Sequence, residues 1–177
     1  MTYLVVALNK FLSKSSEEEV SKVLSSFSCK RDEDVESFLR DKAIIQEKKH
    51  ISRTYLIFDI EDMQKELVAY FTLAISSMED KDLVCSGNLR KKMNINNGSA
   101  QSYLIGQIGK LDGAQKGLGR FAIEKAIDRI VSANAKVGCR VVRVDCRPPL
   151  VNYYKDNGFT LVRQNADRDL NEMVMIL

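Results

Sequence analysis

A strand, a glycine-rich loop and a helix start follow one another in Tyr103-Leu-Ile-Gly-Gln-Ile-Gly-Lys-Leu-Asp-Gly-Ala-Gln-Lys-Gly-Leu-Gly-Arg120. The predicted helix, residues 117–135, carries its apolar stripe on Phe121, Ile123, Ala126, Ile127, Ile130 and Val131, with Glu124, Asp128 and Arg129 outside. A helix start leaves backbone N–H groups unpaired and presents the positive end of the helix dipole. Glycines let the backbone come close to a ligand, and Lys116 and Arg120 add full positive charge. The combination is an anion cradle, most simply for a pyrophosphate. It is no P-loop, because the Gly-Lys-Ser/Thr ending is missing. Nor does it sit on the first strand of a βαβ unit, where a dinucleotide fingerprint belongs. Gly106 and Gly109 inside the strand mark close backbone approach to a ligand or, equally, sheet curvature.

The remaining elements bound the fold. Residues 2–8 read as a strand, and Ser16 with Glu19 forms a capping-box signature ahead of Val20, Val23, Leu24 and Phe27. A second helix starts at Asp32 or Asp34, with a stripe of Val35, Phe38, Leu39, the Lys42 stem and Ile45. Residues 53–59 and 66–75 alternate as a hairpin around a turn at 60–64. Residues 76–97 form a loop with one short helix, and 102–110 a strand. After the long helix come a strand at 140–146, a helix opened by Pro148 and closed at Gly158, and strands at 159–163 and 172–177. Helices interleaved with a mostly consecutive strand set predict a mixed α/β sheet with helices on both faces. The 177 residues, with no linker or repeat, predict a single domain spanning 1–177.

Composition excludes several classes. Cys29, Cys85, Cys139 and Cys146 show no Cys-x-x-Cys spacing, and His50 is the single histidine, so no metal site is expected. Apolar residues at 45% leave no need for a disulfide framework. There is no run of about 18 apolar residues and no leader pattern, which predicts a cytoplasmic protein without membrane contact. A net charge of +3 is too small to imply nucleic acid by itself. The basic residues do cluster, at Lys30, Arg31, Arg40, Lys42, Lys48, Lys49, His50 and Arg53, and again at Arg90, Lys91 and Lys92. An RNA backbone would find such clusters attractive.

Two segments carry a family resemblance. Ala114-Gln-Lys-Gly-Leu-Gly119 resembles the acyl-CoA loop of the GNAT acetyltransferases, and Arg147-Pro-Pro-Leu-Val-Asn-Tyr-Tyr-Lys-Asp-Asn-Gly-Phe159 resembles their late Tyr-x-x-x-Gly-Phe segment. The Phe38-Leu39 helix, Arg53-Thr-Tyr55 and Tyr70-Phe-Thr-Leu73 are similar to a GNAT branch that includes bacterial toxins acetylating aminoacyl-tRNA. Two positions depart from the pattern. Ala114 replaces the usual Gln or Arg, and Arg147 stands near a common Asn.

The resemblance implies a mostly antiparallel mixed sheet of six to seven strands, splayed in the middle. It implies an N-acetyltransferase that takes acetyl-CoA as co-substrate. The pantetheine arm would lie between strands 104–110 and 140–146. Ile108, Gly109, Lys110, Gln115, Lys116, Gly117, Leu118, Gly119, Arg120 and Arg147 would hold the cofactor, with an N–H near Ile108 polarising the thioester. Tyr154 would be the acid that protonates the leaving thiolate, while Tyr153 packs. Asp112, His50 and Glu66 are base candidates by residue type, and Cys146 is expected to pack rather than attack. The acceptor amine belongs to an aminoacyl-tRNA, a protein or a small molecule. A second copy of the chain and an antitoxin are further partners the resemblance allows. The alternative is a non-catalytic acyl-CoA-binding or RNA-binding module on the same fold.

Overall fold

The computed structural model describes residues 2–61, 65–81, 83–165 and 169–177. Part of the turn predicted at 60–64 lies outside the described residues. Seven strands form one mixed sheet: β1 (Tyr3–Ala7), β2 (Arg53–Asp59), β3 (Glu66–Glu79), β4 (Ser99–Lys110), β5 (Val141–Cys146), β6 (Thr160–Asn165) and β7 (Leu170–Ile176). Their order across the sheet is β1-β2-β3-β4-β5-β7-β6. The helices are α1 (Leu8–Leu12), α2 (Glu17–Ser25), α3 (Glu33–Ser37), α4 (Ala43–Lys48), α5 (Gly87–Lys92), α6 (Leu118–Asn134) and α7 (Val151–Asp156). No helix among the described residues is long and apolar enough to cross a membrane.

The chain divides into two compact units, Met1–Leu73 with Gln107–Ala126, and Ala74–Gly106 with Ile127–Leu177. In the first, β1 pairs antiparallel with β2, and β2 with β3. The Ser16 capping box forms as expected: the Glu19 N–H donates to Ser16 Oγ at 3.2 Å, and the Ser16 N–H to Glu19 Oε2 at 2.9 Å. Val20 and Leu24 are then buried with Phe27.

The second predicted helix departs from its forecast in an instructive way. An uninterrupted α-helix would follow Phe38 and Leu39 with Lys42 and Ile45. Instead Phe38–Lys42 make one turn of π-helix, and the Ala43 N–H reaches the Phe38 carbonyl. The wider turn shifts the inward face by about one residue. Ala43, Ile44 and Glu47 are buried in consequence, while Ile45 is 53% exposed. Buried Glu47 is satisfied by Arg53 Nη1 at 2.7 Å and by the Thr54 N–H at 2.8 Å, which ties α4 to the start of β2.

In the second unit, β4 runs parallel to β5 with Ser102–Ile105 opposite Val141–Val144. A parallel pair needs a crossover, and α6 supplies it. β7 pairs antiparallel with β5 and with β6, with a bulge between Leu161 and Arg163 in β6. The segment expected as loop with one short helix holds α5, but β3 runs on to Glu79 before it. Leu83 and Met93 from that segment are buried against Val141, Val162 and Val174. In α6, Ile123, Ala126 and Ile130 are buried as predicted, Phe121 and Ile127 are half-buried, and Val131 is 51% exposed. Leu118 and Ala122 complete the inward face instead.

Gly109 has a packing reason of its own. A Cβ there would run into Val35 Cγ1, with Tyr70 and Phe27 next nearest. Tyr70 donates its hydroxyl proton to the Val35 carbonyl at 2.5 Å and stands edge-on to Phe27 at 5.3 Å. Helix α3 is thereby held on the β4 backbone with no room between. Gly109→Ala overpacks this contact and should destabilise the chain by about 1–3 kcal/mol, read as a lower urea midpoint at unchanged slope.

Candidate active site

Two tight turns shape the path from β4 into α6. The first, Leu111-Asp112-Gly113-Ala114, is closed by the Ala114 N–H on the Leu111 carbonyl at 3.1 Å. Its third residue, Gly113, has φ +76°, as a type II turn demands. The second runs from Gln115 to Leu118, whose N–H faces the Gln115 carbonyl at 3.4 Å, with Gly117 at φ +96°. Lys110 Nζ donates to the Ala114 carbonyl at 3.1 Å. Predicted as a cofactor contact, this ammonium also clamps the first turn.

At the helix start the Phe121 N–H takes the Gly117 carbonyl at 3.0 Å. The first turn of an α-helix has no intrahelical acceptor for its leading N–H groups, here those of Gly119 and Arg120. A Cβ on Gly117 would meet no atom within 4 Å, so there is open space over the backbone. Lys116 and Arg120 are exposed at this corner, Arg120 pairing with Glu124 at 3.0 Å. An exposed pair of this kind is worth little and opens readily to a stronger anion. The residues therefore fit a diphosphate: free donors, a dipole, room and two cations.

The last residues of β4 offer a second feature. The N–H of Gln107 donates to Thr72 Oγ1 at 2.8 Å, and that of Leu111 to the Val68 carbonyl at 2.8 Å. Both point toward β3. Backbone direction alternates along a strand, so the N–H groups of Ile108 and Lys110 point the opposite way. Pairing of β4 with β5 ends at Ile105 with Val144, although β4 continues to Lys110 and β5 to Cys146. Ile108 is half-buried. Strand N–H groups turned away from β3 beyond the β4–β5 register suit an extended polar chain such as a pantetheine arm.

In the second unit, Arg147 is exposed and leads into the short turn Pro148–Leu150 ahead of α7. Tyr154 on α7 is 4% exposed, whereas Tyr153 is 37% exposed. The Tyr154 ring meets Tyr153 at 5.4 Å and Phe159 at 5.7 Å, both near right angles. Burial, with smaller contributions from Cys146 and Tyr153, pushes its phenol above the usual tyrosine range. Cys146 Sγ lies 3.5 Å from Met173 Sδ, and burial, then Asp145, pushes its thiol up to about 11. Such a thiol is protonated at neutral pH, in keeping with a packing residue.

The base candidates are not gathered into one place. Asp112 accepts the Lys30 N–H at 2.8 Å and faces Arg31 Nε at 3.5 Å. His50 Nδ1 is 2.9 Å from Arg53 Nη2. Glu66 is exposed at the start of β3. The basic clusters are also partly committed: Arg40 pairs with Asp41 and Glu36, Arg53 with Glu47, Lys48 with Glu17, and Arg90 with Asp80. Sequence reasoning missed one cluster altogether. Arg143 holds Asp145 through two bonds of 2.7 Å and Glu172 at 3.2 Å, and Arg163 reaches the same Glu172 oxygen at 3.2 Å. Its only signal was polar alternation of Arg143 and Asp145 with Val142, Val144 and Cys146.

The sequence matches no protein-family model. No curated protein matches it either. Solved structures do. A tyrosine-to-phenylalanine mutant of KacT superposes with TM-score 0.78 at 19% identity, covering 99% of this chain and 95% of that one. AtaT complexed with acetyl-methionyl-tRNAfMet gives TM-score 0.74 at 19% identity, with 97% and 94% covered. AtaTR bound with AcCoA gives 0.68 at 18%, with 98% and 92% covered. At these identities the likeness establishes a shared fold.

Proposed function

On the GNAT fold that this chain has, we propose that it moves the acetyl group of acetyl-CoA to an amine by direct attack. The observation that carries this reading is the corner at Gly117, where open space, leading helix N–H groups and two cations coincide. The structural likeness to AtaTR bound with AcCoA supports it. Acetyl-CoA supplies an acetyl group already activated as a thioester. The N–H groups of Gly119 and Arg120 take the diphosphate oxygens, and Lys116 adds charge, while Gln115, Leu118 and Gly109 contribute backbone around it. Lys110 and Ile108 direct N–H groups at the pantetheine arm, and Ile108 donates to the carbonyl oxygen where negative charge grows. One such donor contributes about 3 kcal/mol. Arg147 adds a further positive charge for the cofactor.

Tyr154 holds a proton for the departing sulfur. Its raised pKa keeps the phenol protonated through the physiological range but makes it a weaker acid than an exposed tyrosine. Transfer is then efficient only if the thiolate is desolvated too, which raises the thiol pKa in the same direction. No base beyond water is needed when the acceptor is an α-amine, whose pKa of about 8 leaves part of it neutral at pH 7. As the amide bond forms and the carbon–sulfur bond breaks, the proton shed by the nitrogen passes to water, from which the Tyr154 phenol is restored. kcat/KM should climb from pH 6 to about 8 as that amine loses its proton. It should then stay level to about 10, because Tyr154 titrates above the ordinary tyrosine value. A pH–rate profile checks both limbs.

Aminoacyl-tRNA is the first acceptor to try. AtaT has been solved with acetyl-methionyl-tRNAfMet, and Lys30, Lys42, Lys49, Lys91 and Lys92 expose positive charge here. An antitoxin partner is part of the same reading, since AtaT has also been solved bound to the C-terminus of the antitoxin AtaR. The deciding experiment incubates the protein with [14C]acetyl-CoA and separated RNA, protein and small-molecule fractions of a cell extract. Label is expected in base-labile form on charged tRNA. Label in none of the fractions would favour a non-catalytic acyl-CoA-binding module.

A further inference from the structure

A carboxylate in a loop built for an anion is out of place on charge grounds alone. Asp112 is such a residue, five positions before Gly117. Its surroundings show what it does. The Asp112 N–H donates to the Ser28 carbonyl at 3.0 Å, and Asp112 Oδ2 accepts the Lys30 N–H at 2.8 Å. Arg31 Nε lies 3.5 Å from Oδ1. The 28–31 segment is itself tied to α3, because the Cys29 N–H donates to Glu36 Oε2 at 2.7 Å. On the other side, Leu111 is bonded to Val68 of β3. Residue 112 is therefore held from both directions, at the second position of the turn that leads to Gly117.

We propose that Asp112 is a positioning residue that fastens the α2–α3 connection to the loop before α6 and so sets that loop to receive a diphosphate. This rests on the reading that the loop binds acetyl-CoA. It removes Asp112 from the base candidates, because the carboxylate is engaged by a backbone N–H and a guanidinium.

The sign of one substitution separates this from plain electrostatics. Removing a negative charge near a diphosphate should tighten binding if Asp112 acts through charge alone. If it positions the loop, Asp112→Ala weakens binding of acetyl-CoA at least tenfold. Asp112→Asn keeps an oxygen for the Lys30 N–H and stays within about threefold of the native chain, since only an exposed ion pair is lost. Titration calorimetry of the intact protein with acetyl-CoA measures both. S-acetylpantetheine, which lacks the diphosphate, is the second probe, read by ligand-observed NMR. Its affinity is expected to be unchanged in Asp112→Ala, whereas general damage to the fold would weaken both probes. Tighter or unchanged acetyl-CoA binding in Asp112→Ala, or equal losses for the two probes, overturns the proposal. Gly117→Asp is the control for the underlying reading. If it loses acetyl-CoA while Asp112→Ala does not, only the positioning role fails; if it binds like the native chain, the loop reading fails first.

Discussion

Gly117→Asp is expected to abolish acetyl-CoA binding in a calorimetric titration while leaving the protein folded. The structure separates the two effects. A Cβ at Gly117 meets no protein atom, so the new side chain enters open space rather than the core. The cost to the fold is the left-handed backbone at φ +96°, of about 1–2 kcal/mol for a non-glycine residue. The cost to binding is larger. A carboxylate about 5 Å from a diphosphate charge at an effective dielectric near 20 is repelled by roughly 3 kcal/mol, more than a hundredfold in affinity. Gly117→Ala carries the backbone strain without the charge, so it should lose far less. Equal affinities for the native chain and the aspartate variant would mean that the diphosphate lies elsewhere.

Tyr154→Phe is expected to keep acetyl-CoA affinity and to lower kcat at least tenfold. The ring stays, and with it the contacts to Tyr153 and Phe159. What leaves is one hydroxyl whose proton burial holds in place. General acid catalysis is typically worth about 10²–10⁴ in rate, so a tenfold loss is a conservative floor. The informative pattern is a drop in kcat with acetyl-CoA affinity constant. Full activity in this variant would remove Tyr154 from the chemistry and leave it as a packing residue under Phe159.

What could be read in the sequence was whatever depended on local chemistry. β2 begins and ends where its strand formers do, at Arg53 and Asp59. The Ser16 capping box is legible because both partners lie within four residues. The loop ahead of α6 was legible for the same reason, since its glycines stand where the backbone turns left-handed. Features set by distant packing were not. The π-turn at Phe38–Lys42 leaves no local signature, yet it moves Ile45 out and Ala43 in. The packing role of Gly109 was not legible, because only the fold brings Val35 onto it. The contacts of Asp112 were not legible either, since Ser28, Lys30 and Arg31 lie about eighty positions away in the sequence. The basic clusters likewise lost several members to carboxylates that periodicity could not assign.

The central claim is that the backbone at the start of α6 grips the diphosphate of a CoA thioester. A crystal grown with acetyl-CoA tests it most directly. Diphosphate oxygens within about 3.2 Å of the N–H groups of Gly119 and Arg120 are the expected result. Density for the cofactor elsewhere, with a side chain or solvent at this corner, would contradict it.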